Sequence, residues 1–379
     1  MMGNANRLLK AIMQKVHSNR RPLSKTPITV VRSEVADGKP MCEIWFMSEG
    51  CAYDREGGCT MCNYGKGHCV EPSVILKELS IAVQDLPKAA YNLVVNPSGS
   101  FLDEREVSLF LREGIYELLD SVPFESLTIE SRADILHIKD LNELKSRYAD
   151  KRVSVEVGVE TLNPWLLRNS VNKGITPSQI ENAVHIIHEA GLFGVANIGL
   201  GLPFINERTN ISEAGKSILD AIAMGFDSVI LFPYHVKPGT LLQVLFPEKY
   251  SSVSLWSLVE TLTALPSKVL PRVNISWYRN YYTDKSKIIA SPDTCPKCRD
   301  TVLHFLDNYK SAPCDKTLAA LSTYTCDCRN AWRKMIDSQP IGIEIADVES
   351  SYRFLADSFC ISADLLETEL QEMRGDIIC

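Results

Sequence analysis

The sequence predicts an α/β protein: a parallel sheet with crossover helices, followed by a small cysteine-rich module. Three observations predict this class. Between about residues 28 and 285, short runs rich in β-branched residues alternate with longer stretches of helical periodicity. Several strand candidates end in glycine or small polar residues, as strands do where the loops to crossover helices begin. Beyond about residue 290 the alternation stops, and seven of the 12 cysteines follow.

The composition is that of a globular protein with a buried core. Of 379 residues, 45% are hydrophobic and 23% are charged, which suits one large domain with a small one beside it. No stretch approaches the roughly 18 to 20 apolar residues of a membrane span, and the first residues lack the apolar core of a secretory signal. We therefore expect a cytoplasmic protein with no membrane partner, in which reduced thiols favour metal or redox chemistry over disulfides.

The charge balance limits the kind of partner. The net charge of −7 argues against a surface that binds nucleic-acid phosphates throughout, because such binding depends on many Lys and Arg contacts. One local basic stretch, residues 15–25, could contact nucleic acid, although a solvated helix end explains it equally well.

The element order begins with a helix and a lead-in strand within residues 1–40. Leu8, Ile12 and Val16 are four residues apart, which predicts an amphipathic helix over residues 5–18. The remaining strands and helices fall within residues 41–288. The strand candidates are Pro27–Arg32, Cys42–Phe46, Tyr91–Asn96, Ser126–Glu130, Ser154–Gly158, Val195–Leu200, Ser228–Pro233 and Arg272–Trp277. The main helical candidates are Pro72–Leu86, Glu104–Leu119, Leu141–Arg147, Pro177–Ala190 and Ile211–Met224.

The ends of these strands predict one shared site. The carboxyl ends of parallel strands meet at the same edge of a sheet, and active sites of such folds collect there. The polar or glycine-containing exits are Ser98–Gly99–Ser100, Glu130–Ser131–Arg132, Glu160–Thr161 and Gly199–Leu200–Gly201.

The most informative segment is a loop that carries three cysteines directly after the strand Cys42–Phe46. Cys51, Cys59 and Cys62 have the spacing C-x7-C-x2-C. Three thiolates on one loop can bind three irons of a [4Fe–4S] cluster and leave the fourth iron without a protein ligand. A structural zinc site, which normally takes four protein ligands, would need Cys42 or Cys69 as the fourth.

This loop resembles the cluster loop of radical S-adenosylmethionine (SAM) enzymes. The common spacing in that superfamily is C-x3-C-x2-C, and the longer loop of this chain is similar to the branch that contains the archaeosine-synthesis radical lyase of transfer RNA and the elongator-type proteins. The resemblance extends over about residues 42–285. It implies a partial (β/α)6 barrel of the TIM type. It also implies that SAM binds the open iron and is cleaved to a 5′-deoxyadenosyl radical, which takes hydrogen from a substrate.

The same resemblance implies which residues bind the cofactor. Cys51, Cys59 and Cys62 would hold the catalytic cluster. The implied SAM contacts are Met61, Ser98, Gly99, Ser100, Glu130, Arg132, Glu160, Asn197 and Gly199. The turn at residues 98–100 would receive the methionine amino group, and the strand at residues 197–199 would meet the adenine. Glu130 would accept from ribose hydroxyls, and Arg132 would bind the methionine carboxylate.

A second group of cysteines predicts a second metal centre in the module of residues 289–379. The group consists of Cys295, Cys298, Cys314, Cys326 and Cys328. Two cysteines at the C-x2-C spacing can bind one ion, and the others can complete its shell. Zinc bound by four of the five thiols and an auxiliary iron–sulfur cluster are both compatible with the spacing. The cluster is slightly favoured, because a radical enzyme needs paths for electrons.

The function that follows is a biosynthetic radical SAM enzyme acting on a nucleoside- or nucleotide-like substrate, by rearrangement, sulfur insertion or a C–N or C–C lyase step. Tyr234, His235 and Lys237, at a strand exit, are candidate substrate contacts. The acidic balance favours a small molecule over transfer RNA, which would need a partner. An electron donor such as flavodoxin or ferredoxin is expected. The alternative of another class is a non-catalytic, zinc-stapled RNA-binding or scaffold protein.

Overall fold

A computed structural model describes residues 5–18, 28–34, 40–67, 69–88, 91–280 and 287–376, and the structural statements below concern these residues. Residues 19–25 of the predicted basic stretch lie outside them. The strands are β1 (Ile28–Glu34), β2 (Pro40–Phe46), β3 (Tyr91–Pro97), β4 (Phe124–Ser131), β5 (Arg152–Glu160), β6 (Phe193–Leu200), β7 (Ser228–Pro233) and β8 (Val273–Ile275).

The strands form one sheet in the order in which they occur along the chain. Each strand from β2 to β8 pairs with the next in parallel, and the seven strands curl into a half-barrel. The predicted partial barrel is therefore confirmed. The lead-in strand β1 is the exception, because it pairs with β2 in the antiparallel sense and forms one edge of the sheet.

The helices lie before the first strand, between the strands along the chain and beyond the last strand. They are α1 (Arg7–Ser18), α2 (Ala52–Arg55), α3 (Pro72–Gln84), α4 (Leu109–Leu119), α5 (Ile138–Arg147), α6 (Pro164–Asn169), α7 (Pro177–Glu189), α8 (Glu207–Met224), α9 (Leu241–Leu245), α10 (Leu255–Thr263), α11 (Arg299–Ser311), α12 (Asp315–Thr323), α13 (Asp327–Asp337), α14 (Ile345–Ser358) and α15 (Ala363–Gly375). Residue types typical of helix ends mark where these helices begin and end. Thr176 and Gln179 form a capping box at the start of α7, and Gly225 ends α8 with φ 118°.

The two faces of the half-barrel differ in polarity. Along β4, Leu127 and Ile129 are fully buried beneath the helices, whereas the alternating Thr128 and Glu130 point to the concave side and are half-buried. Thr128 and Glu130 therefore place polar groups on the concave side of the sheet.

The carboxyl-terminal helices pack on the barrel in two places. Residues of α11, α12 and α13 extend the main hydrophobic core around the sheet. The helices α14 and α15 instead pack with α1 in a second core. Arg168 of α6 joins this second core, because its guanidinium lies 2.8 Å from Glu369 on α15. Among the described residues, no helix combines the length and the hydropathy that a membrane crossing requires.

Candidate active site at the carboxyl edge of the sheet

The three-cysteine loop begins at the carboxyl end of β2. Cys51 precedes α2 as its N-cap, and Cys59 and Cys62 lie in the turn that follows, where the Cys62 amide donates to the Cys59 carbonyl at 3.4 Å. Gly50 and Gly57 have φ values of 88° and 93°, so the reversals on both sides of α2 require glycine. The loop therefore lies where the polar strand exits were predicted to meet.

Two other segments hold the loop in place. Asn172 donates to the carbonyls of Gly57 and Gly58 at 3.3 and 3.4 Å, and Tyr53 Oη donates to the Asn172 carbonyl at 2.9 Å. From the other side, the Leu241 amide donates to the Thr60 carbonyl at 2.9 Å. The loop is thus built into the fold over long sequence separations.

The environment of the three thiols fits a cluster bound by thiolates. Burial raises the pKa of Cys51 and Cys62 to about 12 and that of Cys59 to about 11, so a metal must displace the thiol protons to bind there. Each thiol also has a cation nearby that opposes this shift. These cations are Arg132 for Cys51, Lys173 and Arg132 for Cys59, and Lys237 for Cys62. At Cys59 the cations are the largest charge effect on the thiol pKa, whereas Glu106 beside Cys51 and Asp54 beside Cys62 raise the pKa more than the cations lower it. The charges around Cys59 therefore suit a thiolate-bound cluster best.

Glu106, which the sequence did not single out, connects the predicted SAM turn to the cysteine loop. Its carboxylate accepts from the Ala52 amide at 2.7 Å and from the Ser100 amide at 2.6 Å. A Cβ on Gly99 would lie 1.8 Å from Glu106 Oε2 and 3.1 Å from the Cα of Cys51. Glycine is therefore required at residue 99, because the turn approaches the loop backbone directly.

Gly99→Ala is expected to lower the free energy of unfolding by about 2–3 kcal/mol and to reduce iron bound after reconstitution, because the methyl group displaces Glu106 from both amides. Urea unfolding and iron analysis measure the two effects. Gly215→Ala in α8 is the matched control: its Cβ meets nothing within 4 Å, and helix propensity predicts about 0.5–1 kcal/mol of added stability. If Gly99→Ala and Gly215→Ala had the same free energy of unfolding and the same iron content, the tight contact at residue 99 would be contradicted.

Arg132 lies beneath the loop. Its guanidinium is 4.0 Å from the centroid of the Tyr53 ring, bonds Asp134 at 2.9 and 3.0 Å, and donates to the Lys173 carbonyl at 3.1 Å. The Arg132 amide donates to Ser100 Oγ at 3.2 Å. These contacts link the Glu130–Arg132 exit to the cysteine loop, as the order of motifs suggested, and they leave the guanidinium occupied by protein partners.

Glu160 is the centre of a buried network on the other side of the site. Its carboxylate accepts from Lys173 Nζ at 2.9 Å and from Tyr234 Oη at 2.6 Å. Glu160 has φ 67°, which is strained for a residue with a side chain, and it follows an irregularity in the β5–β6 pairing. A Cβ on Gly199 would lie 2.4 Å from Tyr234 Oη, so that glycine makes room for the tyrosine ring.

The three candidate substrate contacts have different surroundings. Tyr234 is 4% exposed and bonded to Glu160. His235 is 3% exposed; its Nε2 donates to the Trp277 carbonyl at 2.6 Å, and its Nδ1 lies 3.0 Å from Ser291 Oγ. Lys237 remains half-buried, with its Nζ 5.3 and 5.5 Å from the Tyr64 and Trp277 ring centroids. Lys237 is therefore the member of this group that lies both near the cysteine loop and partly open.

The stability of the protein is expected to depend on pH through His235. Burial lowers the pKa of His235 from 6.5 to about 4. The unfolded chain therefore binds a proton at this ring below about pH 6.5, whereas the folded protein does so only below about pH 4. Stability is lost as the pH falls through this window, by up to about 3 kcal/mol. Urea unfolding at pH 7.5 and 4.5 should show a smaller difference for His235→Asn than for wild type.

The control for this prediction is His188→Asn, because His188 is exposed on α7 and pairs with Asp227 at 3.0 Å. The difference in unfolding free energy between pH 7.5 and pH 4.5 should be the same for His188→Asn as for wild type. A wild-type slope in both variants would mean that His235 is not the residue responsible.

The concave side of the sheet holds a carboxylate pair below the cysteine loop. Glu130 and Glu156 are paired across β4 and β5, and their side chains hydrogen bond. Burial and the neighbouring Glu156 and Glu43 raise the pKa of Glu130 well above its usual value, and burial also raises the pKa of Glu156. The sequence singled out Glu130 alone. The signal for Glu156 was its inward position in the alternation of β5.

Other predicted SAM contacts present polar atoms without protein partners. Among the described residues, Ser98 Oγ and Asn197 Oδ1 are buried and have no hydrogen-bond partner. Unpaired buried acceptors and hydroxyls are rare, and a polar ligand at the strand exits would satisfy them. Met61 is half-buried against the second hydrophobic core. These residues, together with three thiols on one loop, fit a cluster that binds SAM.

The second cysteine group forms a compact set of four. The Sγ atoms of Cys295, Cys298, Cys326 and Cys328 all lie within 4.8 Å of one another and could hold a metal ion. The fifth cysteine, Cys314, does not join them; its Sγ lies 3.6 Å from Thr317 Oγ1 at the start of α12. The described part of the chain forms no comparable group from Cys51, Cys59 and Cys62, whose sulfurs are more widely spaced.

The curled parallel half-barrel and its cysteine loop define the class: an α/β half-barrel with three cysteines on the loop after its first parallel strand. The chain is 26% identical over 343 residues to archaeosine synthase subunit beta of Methanosarcina acetivorans, which covers 88% of this chain and 96% of that protein. It is 26% identical over 321 residues to the protein of the same name from Thermococcus kodakarensis, covering 79% and 94%. These relatives confirm the resemblance to the archaeosine-synthesis branch of the radical SAM superfamily.

Solved structures with a similar fold include methylornithine synthase, at 13% identity and a TM-score of 0.49, covering 94% of this chain and 91% of that one. The archaeal Elp3 of Methanocaldococcus infernus aligns at 16% identity and a TM-score of 0.47, covering 74% of this chain and 65% of that one. No protein-family model matches the chain.

Proposed function

We propose that this protein is an enzyme that binds a [4Fe–4S] cluster through Cys51, Cys59 and Cys62 and acts on a nucleoside-like substrate. The observation that carries the proposal is the loop itself: three thiols on one loop, with Cys59 buried beside Lys173 and Arg132, at the edge where the strand exits meet. When bound, the cluster and SAM would supply a 5′-deoxyadenosyl radical able to remove hydrogen from an unactivated carbon.

The chain's own residues would position the cofactor and exclude water. Arg132 and Lys173 neutralise charge beside Cys59, and Glu106 fixes the turn at residues 98–100 against the loop. Ser98 and Asn197 offer buried polar atoms for hydrogen bonds to SAM. The packing of the loop against residues 170–172 closes one side of the site, which protects reactive species from solvent.

The names of the relatives favour a second, finer candidate. Both are described as the beta subunit of archaeosine synthase. Under this candidate, the chain is one subunit of a transfer-RNA-modifying radical lyase, and a partner subunit supplies the contacts to RNA. The net charge of −7 supports the need for such a partner, because the chain itself carries an excess of acidic residues.

Anaerobic reconstitution with iron and sulfide, followed by incubation with SAM and a strong reductant, tests the proposed function. The expected product is 5′-deoxyadenosine, formed by protein that carries about four irons and four sulfides at the loop. The alternative of a zinc-stapled scaffold predicts a colourless protein with two zinc ions and no cleavage of SAM. Deuterium transfer from labelled substrates into 5′-deoxyadenosine would then separate a free nucleotide from transfer RNA supplied with a partner subunit.

A further inference from the structure

The four carboxyl-terminal cysteines have the geometry of a site for one ion. The Sγ separations are 3.5 Å for Cys295–Cys298, 3.6 Å for Cys295–Cys326, 3.4 Å for Cys298–Cys328 and 3.5 Å for Cys326–Cys328. Four sulfurs at about 2.3 Å from one zinc form a tetrahedron with edges of about 3.8 Å. In a cubane cluster each cysteine binds a different iron, so the four sulfurs must stand outside a cube of eight atoms. The space between these four sulfurs accommodates an ion and not a cube.

The surroundings of the sulfurs match a tetrathiolate, which carries negative charge. Cys298 is the N-cap of α11 and Cys326 is the N-cap of α13, so the amino-terminal ends of two helices of 13 and 11 residues lie at the site. The partial positive charge of these helix ends stabilises thiolates. In addition, Trp256 Nε1 on α10 donates to Cys328 Sγ at 3.4 Å. Such outer hydrogen bonds orient metal ligands.

The site lies where three helices on the barrel meet. Besides the bond from Trp256, α10 is joined to this region by its Leu255 amide, which donates to the Asp293 carbonyl at 3.0 Å just before Cys295. On α13, Arg333 pairs with Glu260 of α10 at 2.8 Å. An ion bound to the four cysteines would therefore tie α11 and α13 to each other and to α10.

The helix α11 extends from this site along the open side of the half-barrel. Tyr309 Oη donates to the Val273 carbonyl of β8, the last strand, at 2.8 Å. The next residue, Lys310, lies close enough to Glu43 on β2 to act on that carboxyl electrostatically. Because α11 contacts β8 and approaches β2, it lies across the gap that the curled sheet leaves between its first and last parallel strands.

We propose that Cys295, Cys298, Cys326 and Cys328 bind a single Zn²⁺ ion, and that this ion holds α11 across the open side of the half-barrel. The site is structural and carries no electrons to the cysteine loop. Cys314 is not a ligand. This proposal stands independently of the proposed function, because it rests on residues outside the cysteine loop.

Metal analysis of wild type and of Cys59→Ala, both purified anaerobically with iron and zinc supplied, tests the identity of the ion. One zinc per chain is expected in both proteins, and Cys59→Ala should contain neither iron nor sulfide. Iron and sulfide retained by Cys59→Ala would overturn the proposal. Absence of SAM cleavage in a wild-type protein that contains one zinc would refute the proposed function alone.

X-ray absorption at the zinc edge tests the ligand set without any variant. Four sulfur neighbours at about 2.3 Å and no nitrogen or oxygen neighbour are expected. Zinc with mixed ligands would contradict the assignment. In variants, Cys328→Ser should lose at least half of its bound zinc, whereas Cys314→Ser should retain one per chain.

Hydrogen exchange tests the role of the ion. Removal of zinc from wild type by a chelator should raise the exchange rate of the α11 amides at least tenfold and leave α4, which lies on the far side of the sheet, unchanged. Unchanged exchange in α11 would show that the ion does not hold this helix and would overturn that part of the proposal.

Discussion

Cys59→Ala is expected to abolish cluster binding at the loop and to lower the rate of 5′-deoxyadenosine formation by on the order of 10³-fold or more. The physical reason is that two remaining thiolates cannot hold the cluster with a single open iron. Cys59 is also the most enclosed of the three cysteines, at 6% exposure, so solvent has little access to the position of its sulfur. Iron and sulfide analysis and a single-turnover assay measure the two effects.

Cys69→Ala is the matched control for this prediction. Cys69 follows the loop, is exposed, and hydrogen bonds to Glu49. It is also one of the two thiols that a four-cysteine zinc site at the loop would recruit. Iron content and activity close to wild type are expected; loss of both in Cys69→Ala would mean that the loop uses a fourth thiolate.

Arg132→Met is expected to have the second largest effect. It removes a buried cation beside Cys51 and Cys59 and leaves Asp134 and the Lys173 carbonyl without a partner. The loss of positive charge should lower the reduction potential of the cluster by on the order of 50 mV, close to a tenfold change in a one-electron equilibrium. Arg132→Met should lower the free energy of unfolding by about 2 kcal/mol. This cost is smaller than for a fully buried pair, because the Asp134 side chain is 26% exposed and water can solvate it.

A potentiometric titration followed by electron paramagnetic resonance measures the shift, and Arg55→Met provides the control. Arg55 lies on α2 in the same loop but pairs with Glu49 at the surface. Its removal should change the potential by less than about 10 mV and the stability by less than about 0.5 kcal/mol. A shift of equal size in both variants would show that the effect of Arg132 is not local.

Much of the fold could be predicted because hydrophobic periodicity determines it. Each of the eight predicted strands occurs, with most ends displaced by a few residues, since strands such as β5 carry branched residues, Val153, Val155 and Val157, on the buried face. The direction of β1 could not be predicted in this way. Whether an edge strand pairs parallel or antiparallel depends on the connection to its neighbour, and here the short link to β2 allows an antiparallel pair.

The candidate site was predictable in its cysteines and less so in the residues that support them. Spacing marked Cys51, Cys59 and Cys62, because ligands on one loop leave a local pattern. Glu106 left no such pattern, since it lies outside the strand exits and acts on two backbone amides brought to it by folding. In the second cysteine group, spacing alone could not exclude Cys314. Distances between sulfurs from distant segments were needed to separate it from the other four.

The central claim is that the cluster at Cys51, Cys59 and Cys62 leaves one iron free to bind SAM. Electron–nuclear double resonance of the reduced, reconstituted protein with SAM labelled by ¹⁵N in the amino group and ¹⁷O in the carboxylate tests it directly. The account predicts hyperfine couplings from both labels, with a cluster signal that changes when SAM is added. A cluster signal that SAM leaves unchanged, with no coupling to either label, would contradict it.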